Sequence, residues 1–467
     1  MSANLARRFE EFAAHWPDRP VLFHGEESLT WARLDRGACA IAAALAARGV
    51  VSRDRVAIEL DDPMAVTIAL IGVLKTGASA TPLNPRLASQ ERDNFLADLA
   101  PHTTIRELVD DDAKFESRAV DGHQSAFVLY TSGSTGQAKG VVLSHDATAV
   151  ALTHWRDPVM ALSDSDRVLS ALPPAHSFGI FGSILAPLSA GAAVVFLERF
   201  TPAAVLALIA RHHITVYPGV ATMFQRLLDH PQLPEADLSS LRHAVSGAAP
   251  CSWELAEAWR TATGTRIIRG YGMTELFRPI SFSANDLHNR PGAIGRAVIG
   301  VDLRAVGDDS NDVPAGETGE LMIRTPARMT GYLNRPDETA AVLDGDWFMT
   351  GDLASISQDG FVSIVGRKKD VILRGGYTIA AGEIETVLTA HPDIVEAAVI
   401  GVPDRELGEE IAAFVTPRDR LSSLTSDDIV AHCQGRLANY KIPRQIHIRD
   451  ELPKGPTGKT LKARLLD

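Results

Sequence analysis

A loop rich in glycine and hydroxyl groups, set between two short apolar runs, constrains this chain most. The run Ala126-Phe127-Val128-Leu129 leads into Tyr130, Thr131, Ser132, Gly133, Ser134, Thr135, Gly136, Gln137, Ala138, Lys139 and Gly140, and Val141-Val142-Leu143 follows at once. Two apolar runs around a glycine-rich turn read as strand, loop, strand. The glycines let backbone N–H groups turn inward, and the Ser and Thr hydroxyls add donors. Such a loop can wrap the terminal phosphates of a nucleotide. It is not a Walker A loop, because the Gly-x-x-x-x-Gly-Lys-[Ser/Thr] spacing is absent.

Strands alternate with helices around this loop. Arg55 to Leu60 reads as a strand, Pro63 to Lys75 as a helix and Ser79 to Leu83 as a strand. Val168 to Leu172, Phe178 to Leu188 and Ala193 to Leu197 repeat the pattern, and Thr201-Pro202 starts another helix with a cap followed by proline. The alternation predicts α/β layers with largely parallel sheets. From Gly319 onward strands are short and turns frequent, as in a β-rich lobe. Beyond Arg367 a compact α+β unit is expected, with helices near Glu383 to Thr389 and Ser426 to Ala438 and a strand at Ala397 to Ile400. A chain of 467 residues is too long for one ordinary core, so at least two domains are expected. The formal charge of −12 argues against nucleic acid as a partner. Cys39, Cys251 and Cys433 lie far apart, with neither metal spacing nor a disulfide framework, which suits a reducing, cytoplasmic compartment. The charged N-terminus is no signal peptide, and the longest apolar stretch, Ala65 to Leu74, is too short to cross a bilayer.

Four later segments come in register with the loop. They are Gly270-Tyr271-Gly272-Met273-Thr274-Glu275, Thr350-Gly351-Asp352, Gly366-Arg367-Lys368-Lys369-Asp370, and Pro453-Lys454-Gly455-Pro456-Thr457-Gly458-Lys459. In this order and spacing the chain resembles the adenylate-forming superfamily, which holds acyl-CoA synthetases, peptide-synthetase adenylation domains and luciferases. The resemblance covers nearly the whole chain and is nearest in look to the acyl-CoA synthetases. It implies an α/β fold: a large N-terminal domain of layered α/β sheets plus a β-rich lobe, residues 1–367, and a small mobile α+β C-terminal domain, residues 370–467. The hinge would be Lys369. The stretch from Ala100 to Gln124 looks shorter than the family's usual connection before the phosphate loop, as if an element were trimmed there.

The resemblance also implies a chemistry: a carboxylic acid plus ATP gives acyl-AMP and pyrophosphate, and a thiol then takes the acyl group. A carboxylate is a poor electrophile, so the site must neutralise charge on both the acid and the triphosphate. Lys459 would hold the carboxylate against the α-phosphate. Thr131 to Gly136 and Lys139 would contact the β- and γ-phosphates. Glu275 would help to hold Mg²⁺, which prefers a few hard carboxylate and phosphate oxygens. Thr274 would donate to the α-phosphate. Tyr271, between Gly270 and Gly272 and next to Met273, would stack on adenine against a wall of Gly247, Ala248 and Ala249. Asp352 suits the ribose hydroxyls, and Arg367 reaches ribose or phosphate with its planar fork. Gly375 and Gly376 fall where relatives line a pantetheine tunnel, although the usual Asn and Pro are missing from Thr378-Ile379-Ala380-Ala381. Lys441 and Arg444 are candidates for a CoA phosphate, or for a solvated basic patch.

For the acid, His176 matches the family's pocket mouth, and Tyr217, Gly219, Met223, Leu276 and Phe277 are expected to line the rest. The aspartate that amino-acid-activating relatives carry near His176 is absent, which argues against an amino acid. Malonate-specific relatives place an arginine directly before the Tyr-Gly-Met-Thr-Glu segment; here Gly270 stands there, so malonate is not supported. Arg278 could bind a second carboxylate or pair at the surface; surface pairing is the expectation, leaving a pocket for an uncharged acyl tail. CoA is the expected acceptor, with the phosphopantetheine arm of a carrier protein as the alternative. The sequence leaves the acid and the oligomeric state open, a homodimer among the options.

Overall fold

The computed structural model describes residues 3–131, 138–286, 290–374, 377–419, 424–454 and 460–466, with only the backbone of residues 369, 373 and 378. The chain forms two compact units, Met1–Asp302 with Arg324–Asp346, and Leu303–Ile323 with Trp347–Asp467.

The first unit holds two sheets built largely from parallel strands. One runs Arg266–Ile268, His243–Ser246, Val216–Gly219, Arg167–Ser170, Ala193–Phe196, Pro20–His24 and Glu27–Thr30, parallel throughout except for its last hairpin. The other runs Gly331–Tyr332, Lys139–Ser144, Ser125–Thr131, Ser79–Pro82, Arg55–Ile58 and Thr103–Ile105. A small antiparallel sheet, Gly270–Met273, Phe277–Ser281 and Arg296–Ala297, completes the unit.

Local chemistry explains where several elements start and stop. The helix expected over Pro63 to Lys75 spans Pro63–Thr76, with the Asp62 carboxylate accepting from Met64 and Ala65 N–H and Gly77 closing it at φ 77°. Thr201 caps Pro202–His212 in the same way, its hydroxyl accepting from Ala204 N–H. Each such cap contributes about 1 kcal/mol. The segment expected to be an ordinary helix from Phe178 to Leu188 differs. Phe178–Leu185 winds as a π-helix, and only Ala186–Ser189 is α-helical. Gly179 and Gly182 permit the wide turn to sit tight: a Cβ on Gly179 would lie 2.1 Å from Pro173 O, and one on Gly182 2.7 Å from the Phe178 ring. Single π turns of this kind favour functional sites.

In the second unit, Asp302–Val306, Thr318–Arg324, Trp347–Ile356 and Val362–Arg367 share one sheet, antiparallel where Trp347–Ile356 meets its neighbours. After the short turn Lys368–Asp370 comes a second sheet, Tyr377–Ala380, Val371–Arg374, Gly408–Pro417 and Ile394–Asp404, with Gln445–Ile448 added in parallel. Helices Ala381–Thr389 and Ser426–Cys433 close a core of Ile372, Ile384, Val399, Ile411, Val415 and Ile429. The second helix stops short of the expected Ala438, because Gln434 turns extended and Gly435 takes φ 75°, which brings Leu437 back onto the core.

Candidate active site

The strand–loop–strand reading holds: Ser125–Thr131 and Lys139–Ser144 pair antiparallel, with Thr131 opposite Lys139. Both ends of the loop are therefore fixed at one point, while Ser132, Gly133, Ser134, Thr135 and Gly136 lie outside the described residues. The Lys139 ammonium pairs with Glu338 and lies 4.9 Å from the centre of the Tyr332 ring. The Tyr332 hydroxyl in turn donates to Glu275 Oε1 at 2.9 Å. Burial, together with the adjacent Glu275 carboxylate, raises the phenol far above its ordinary range, so it stays a donor. A side-chain relay thus joins the loop lysine to Glu275. Tyr332 and Glu338 were missed in the sequence, because they belong to no motif; the strand Gly331–Tyr332 reaches the site only by pairing with Lys139–Ser144.

Glu275 follows a hairpin that tolerates no side chain at Gly272. A Cβ there would lie 1.9 Å from Phe277 O, and the turn is completed by Phe277 at φ 56°. Thr274 Oγ1 lies 3.2 Å from Ser177 Oγ, which brings the His176 segment beside the hairpin. Burial lowers the His176 pKa below its ordinary value, so the ring is neutral at pH 7. Gly247 packs on Phe178, where a Cβ would lie 2.9 Å from the ring, and Ala248 follows at φ 63°. Tyr271 and Met273 are half-buried, and Ala249 is exposed.

The candidate acyl-pocket residues are more enclosed than expected. Tyr217 is fully buried against Phe224, its hydroxyl 3.7 Å from Met223 Sδ, and Gly219 ends the same strand. Leu276 and Phe277 are buried, with the Phe277 ring edge-on to Phe181. The surface pairing expected for Arg278 is wrong. It is 4% exposed, and its guanidinium donates to Ser281 Oγ at 2.9 Å, Ser246 O at 2.8 Å and Ile268 O at 3.2 Å, with the Trp155 ring centre 4.9 Å away. The reason is local. Gly270 leaves room for it, and the carbonyls at the ends of two parallel strands supply its acceptors.

In the second unit, Asp352 and Arg367 face each other across paired strands, and Arg367 Nε lies 2.8 Å from Asp352 Oδ1. Asp352 is buried while the Arg367 side chain is half exposed. Lys459, Gly375 and Gly376 lie outside the described residues, as does the Lys369 side chain. The loop that carries Lys459 springs from fixed ends. Lys454 and Thr460 bridge in antiparallel fashion, and Thr460 Oγ1 donates to Glu396 at 2.6 Å. Lys441 is engaged by both Glu383 oxygens at 2.7 Å, and Arg444 lies 3.7 Å from Glu410. Beside them the exposed Tyr377 stacks on Tyr440 with ring centres 4.2 Å apart. Among the described residues no group of three or more His, Cys, Asp and Glu could hold a metal alone. No helix among them is long and apolar enough to cross a membrane.

Known proteins share this fold and sequence pattern. The family model described as AMP-binding enzyme matches residues 9–118 and 104–333, and that for the AMP-binding enzyme C-terminal domain matches 383–459. A long-chain-fatty-acid–CoA ligase of Yersinia pestis is 32% identical over all of this chain and 94% of its own length. A feruloyl-CoA synthase of Amycolatopsis is 35% identical over 96% of this chain and 95% of its own. Among solved structures, ATP-bound MatB from Rhodopseudomonas palustris superposes with a TM-score of 0.92 at 29% identity, covering 99% of this chain and 98% of that one. The o-succinylbenzoate CoA synthetase of Bacillus subtilis, with ATP and magnesium ion, gives 0.88 at 28% identity, covering 98% and 99%. From its loop to its C-terminal segment, the chain belongs to the AMP-binding, adenylate-forming enzymes.

Proposed function

We propose that the residues gathered around Glu275 carry the two steps of an AMP-forming acyl-CoA synthetase acting on a small-molecule carboxylic acid. In the first step a carboxylate oxygen attacks the α-phosphorus of ATP and pyrophosphate leaves. In the second the CoA sulfur attacks the carbonyl carbon and AMP leaves. The observation that supports this reading best is the relay Lys139, Tyr332, Glu275, beside Thr274 and Ser177. It places a cation, a carboxylate and hydroxyl donors at one end of the glycine-rich loop.

The residues fit nucleotide and metal. Gly272 and Gly247 are held bare by close packing, on Phe277 O and on the Phe178 ring, and Tyr271 beside them would stack on a base. Glu275, fixed by Tyr332, offers one hard oxygen ligand, the number Mg²⁺ takes when phosphates and water supply the others. Bound there, Mg²⁺ would neutralise phosphate charge. Thr274 would donate to the α-phosphate, and neutral His176 would sit at the mouth of the acyl site. Buried Asp352, oriented by Arg367, would accept from the ribose hydroxyls. Lys459 would bridge carboxylate and α-phosphate. The division at 367 and 370, with Lys369 as hinge, would let one C-terminal domain serve both steps. For the acceptor, Gly375 and Gly376 would admit a pantetheine arm. Because Glu383 already holds Lys441, a carrier-bound arm is the second reading, and comparing free CoA with a holo-carrier protein separates the two.

The experiment is pyrophosphate exchange into ATP without CoA, over a panel of acids. Exchange that requires a carboxylic acid is expected. Exchange independent of acid, or none with any acid, contradicts the reading.

A further inference from the structure

Arg278 and Arg269 are buried charged groups at the hairpin that the two chemical steps leave without a task, and Arg278 is the one on the strand that follows Glu275. Its guanidinium lies at the carboxyl ends of the parallel strands His243–Ser246 and Arg266–Ile268, held by the Ser246 and Ile268 carbonyls. Ligands of open parallel sheets bind outside those strand ends. The surroundings adjoin the candidate acyl site: Arg278 follows Phe277, and Phe178 lies two residues beyond His176. Trp155 lies under the guanidinium and stacks on Phe178, centres 5.3 Å apart, and Phe178 packs on Gly247. Gly270 makes room: a Cβ there would lie 2.5 Å from Arg278 Nη2.

Among the described residues the charge on Arg278 has no anionic partner. Its three hydrogen bonds all go to neutral acceptors, which leaves two of its five N–H groups. Among the described residues the one titratable group that acts to favour its charge is the Cys251 thiol, which burial raises and so keeps neutral. Desolvation with nothing anionic to offset it depresses the guanidinium to about 9. The Ser246 hydroxyl, 2% exposed, forms no well-made hydrogen bond, although Cys251 lies beside it. Buried charges in proteins are normally paired. A guanidinium matches a carboxylate in shape and charge.

We propose that Arg278 is a specificity-determining residue that takes a second carboxylate at the far end of the acid, so that this enzyme prefers dicarboxylic acids. The inference rests on the acid-activating reading above and overturns the expected uncharged tail. Length follows from the hairpin. Arg278 stands over Gly270, and Thr274 lies four residues further along, past an irregularity in the strand and into its turn, so the span is below roughly 13 Å, the length at full extension. Adipate, suberate, sebacate and terephthalate fit within that span.

The test compares each diacid with its monomethyl ester, which removes only the second charge, by kcat/KM for pyrophosphate release in the full chain. A site built around a buried polar group rejects the analogue lacking the match, so at least one diacid should beat its ester roughly a hundredfold or more. Arg278→Met should bring that ratio near one by losing the diacid far more than the ester, and Arg278→Lys should restore part of it. The wild-type ratio decides even where a variant fails to fold. Esters used as well as every diacid by the wild-type enzyme would overturn the assignment of Arg278 alone. Release with monocarboxylic acids but with none of these diacids would likewise overturn the assignment of Arg278, and release with no acid of any kind would overturn the acid-activating reading itself.

Discussion

Lys459→Ala is expected to slow acyl-AMP formation by roughly 100- to 1000-fold, the scale for removing one preorganised charge from a developing transition state. That corresponds to about 2.7–4 kcal/mol. Attack of an anionic carboxylate on an anionic phosphate builds negative charge where the two meet, and a point cation there acts on the transition state more than on either reactant. The described residues on either side of Lys459 are anchored, with Lys454 and Thr460 bridged and both tied to Glu396. The second step needs no such bridge, since the phosphate is already esterified. Thioester yield from supplied acyl-AMP should therefore stay within a few-fold of wild type. Pyrophosphate release and thioester yield, measured separately on the same variant, check this. Full adenylation by the variant would remove Lys459 from the account.

Lys369→Pro should do the reverse. The turn Lys368–Asp370 joins the strand Val362–Arg367 to Val371–Arg374. One domain is proposed to present Lys459 in the first step and the Gly375 to Glu385 stretch in the second, so the backbone here must take two conformations. Proline fixes φ near −65°, a value a tight helical turn accepts, so one conformation survives and the other is lost. Adenylation should be spared or modestly slowed. Thioester formation should fall roughly 100-fold, the scale for a misplaced reacting group. Equal losses in both steps, read from pyrophosphate and acyl-CoA in one reaction, would show that the two steps do not depend on this hinge.

What could be read from the sequence was local. Asp62-Pro63 and Thr201-Pro202 announce helix starts, because cap and proline act within one turn. The glycine-rich loop announces its two strands, because alternating apolar runs suffice. Five motifs in register carried the family. Legibility failed where a residue's surroundings come from distant chain. Arg278 looked like a surface arginine because its acceptors, the Ser246 and Ile268 carbonyls and the Trp155 face, lie ten or more residues away. Tyr332 carried no signal, since it meets Glu275 only through strand pairing. The π-helix at Phe178 was unreadable because its apolar periodicity matches an ordinary helix, and only the close approach to Pro173 shows the difference. The helix after Ser426 was drawn too long because a glycine at 435 is weak punctuation beside continuing apolar residues.

The central claim is that acid and ATP react through an acyl-adenylate. The most direct measurement supplies an accepted acid with both carboxylate oxygens labelled with oxygen-18, together with ATP, Mg²⁺ and CoA, and follows the label by mass spectrometry. Attack on the α-phosphorus, then departure of AMP from the carbonyl, must leave one labelled oxygen in AMP and one in the thioester carbonyl. Label in AMP, with unlabelled pyrophosphate and acyl-CoA equal in amount to AMP, is the predicted result. Label in orthophosphate with ADP as the product would mean an acyl phosphate, and would contradict the account.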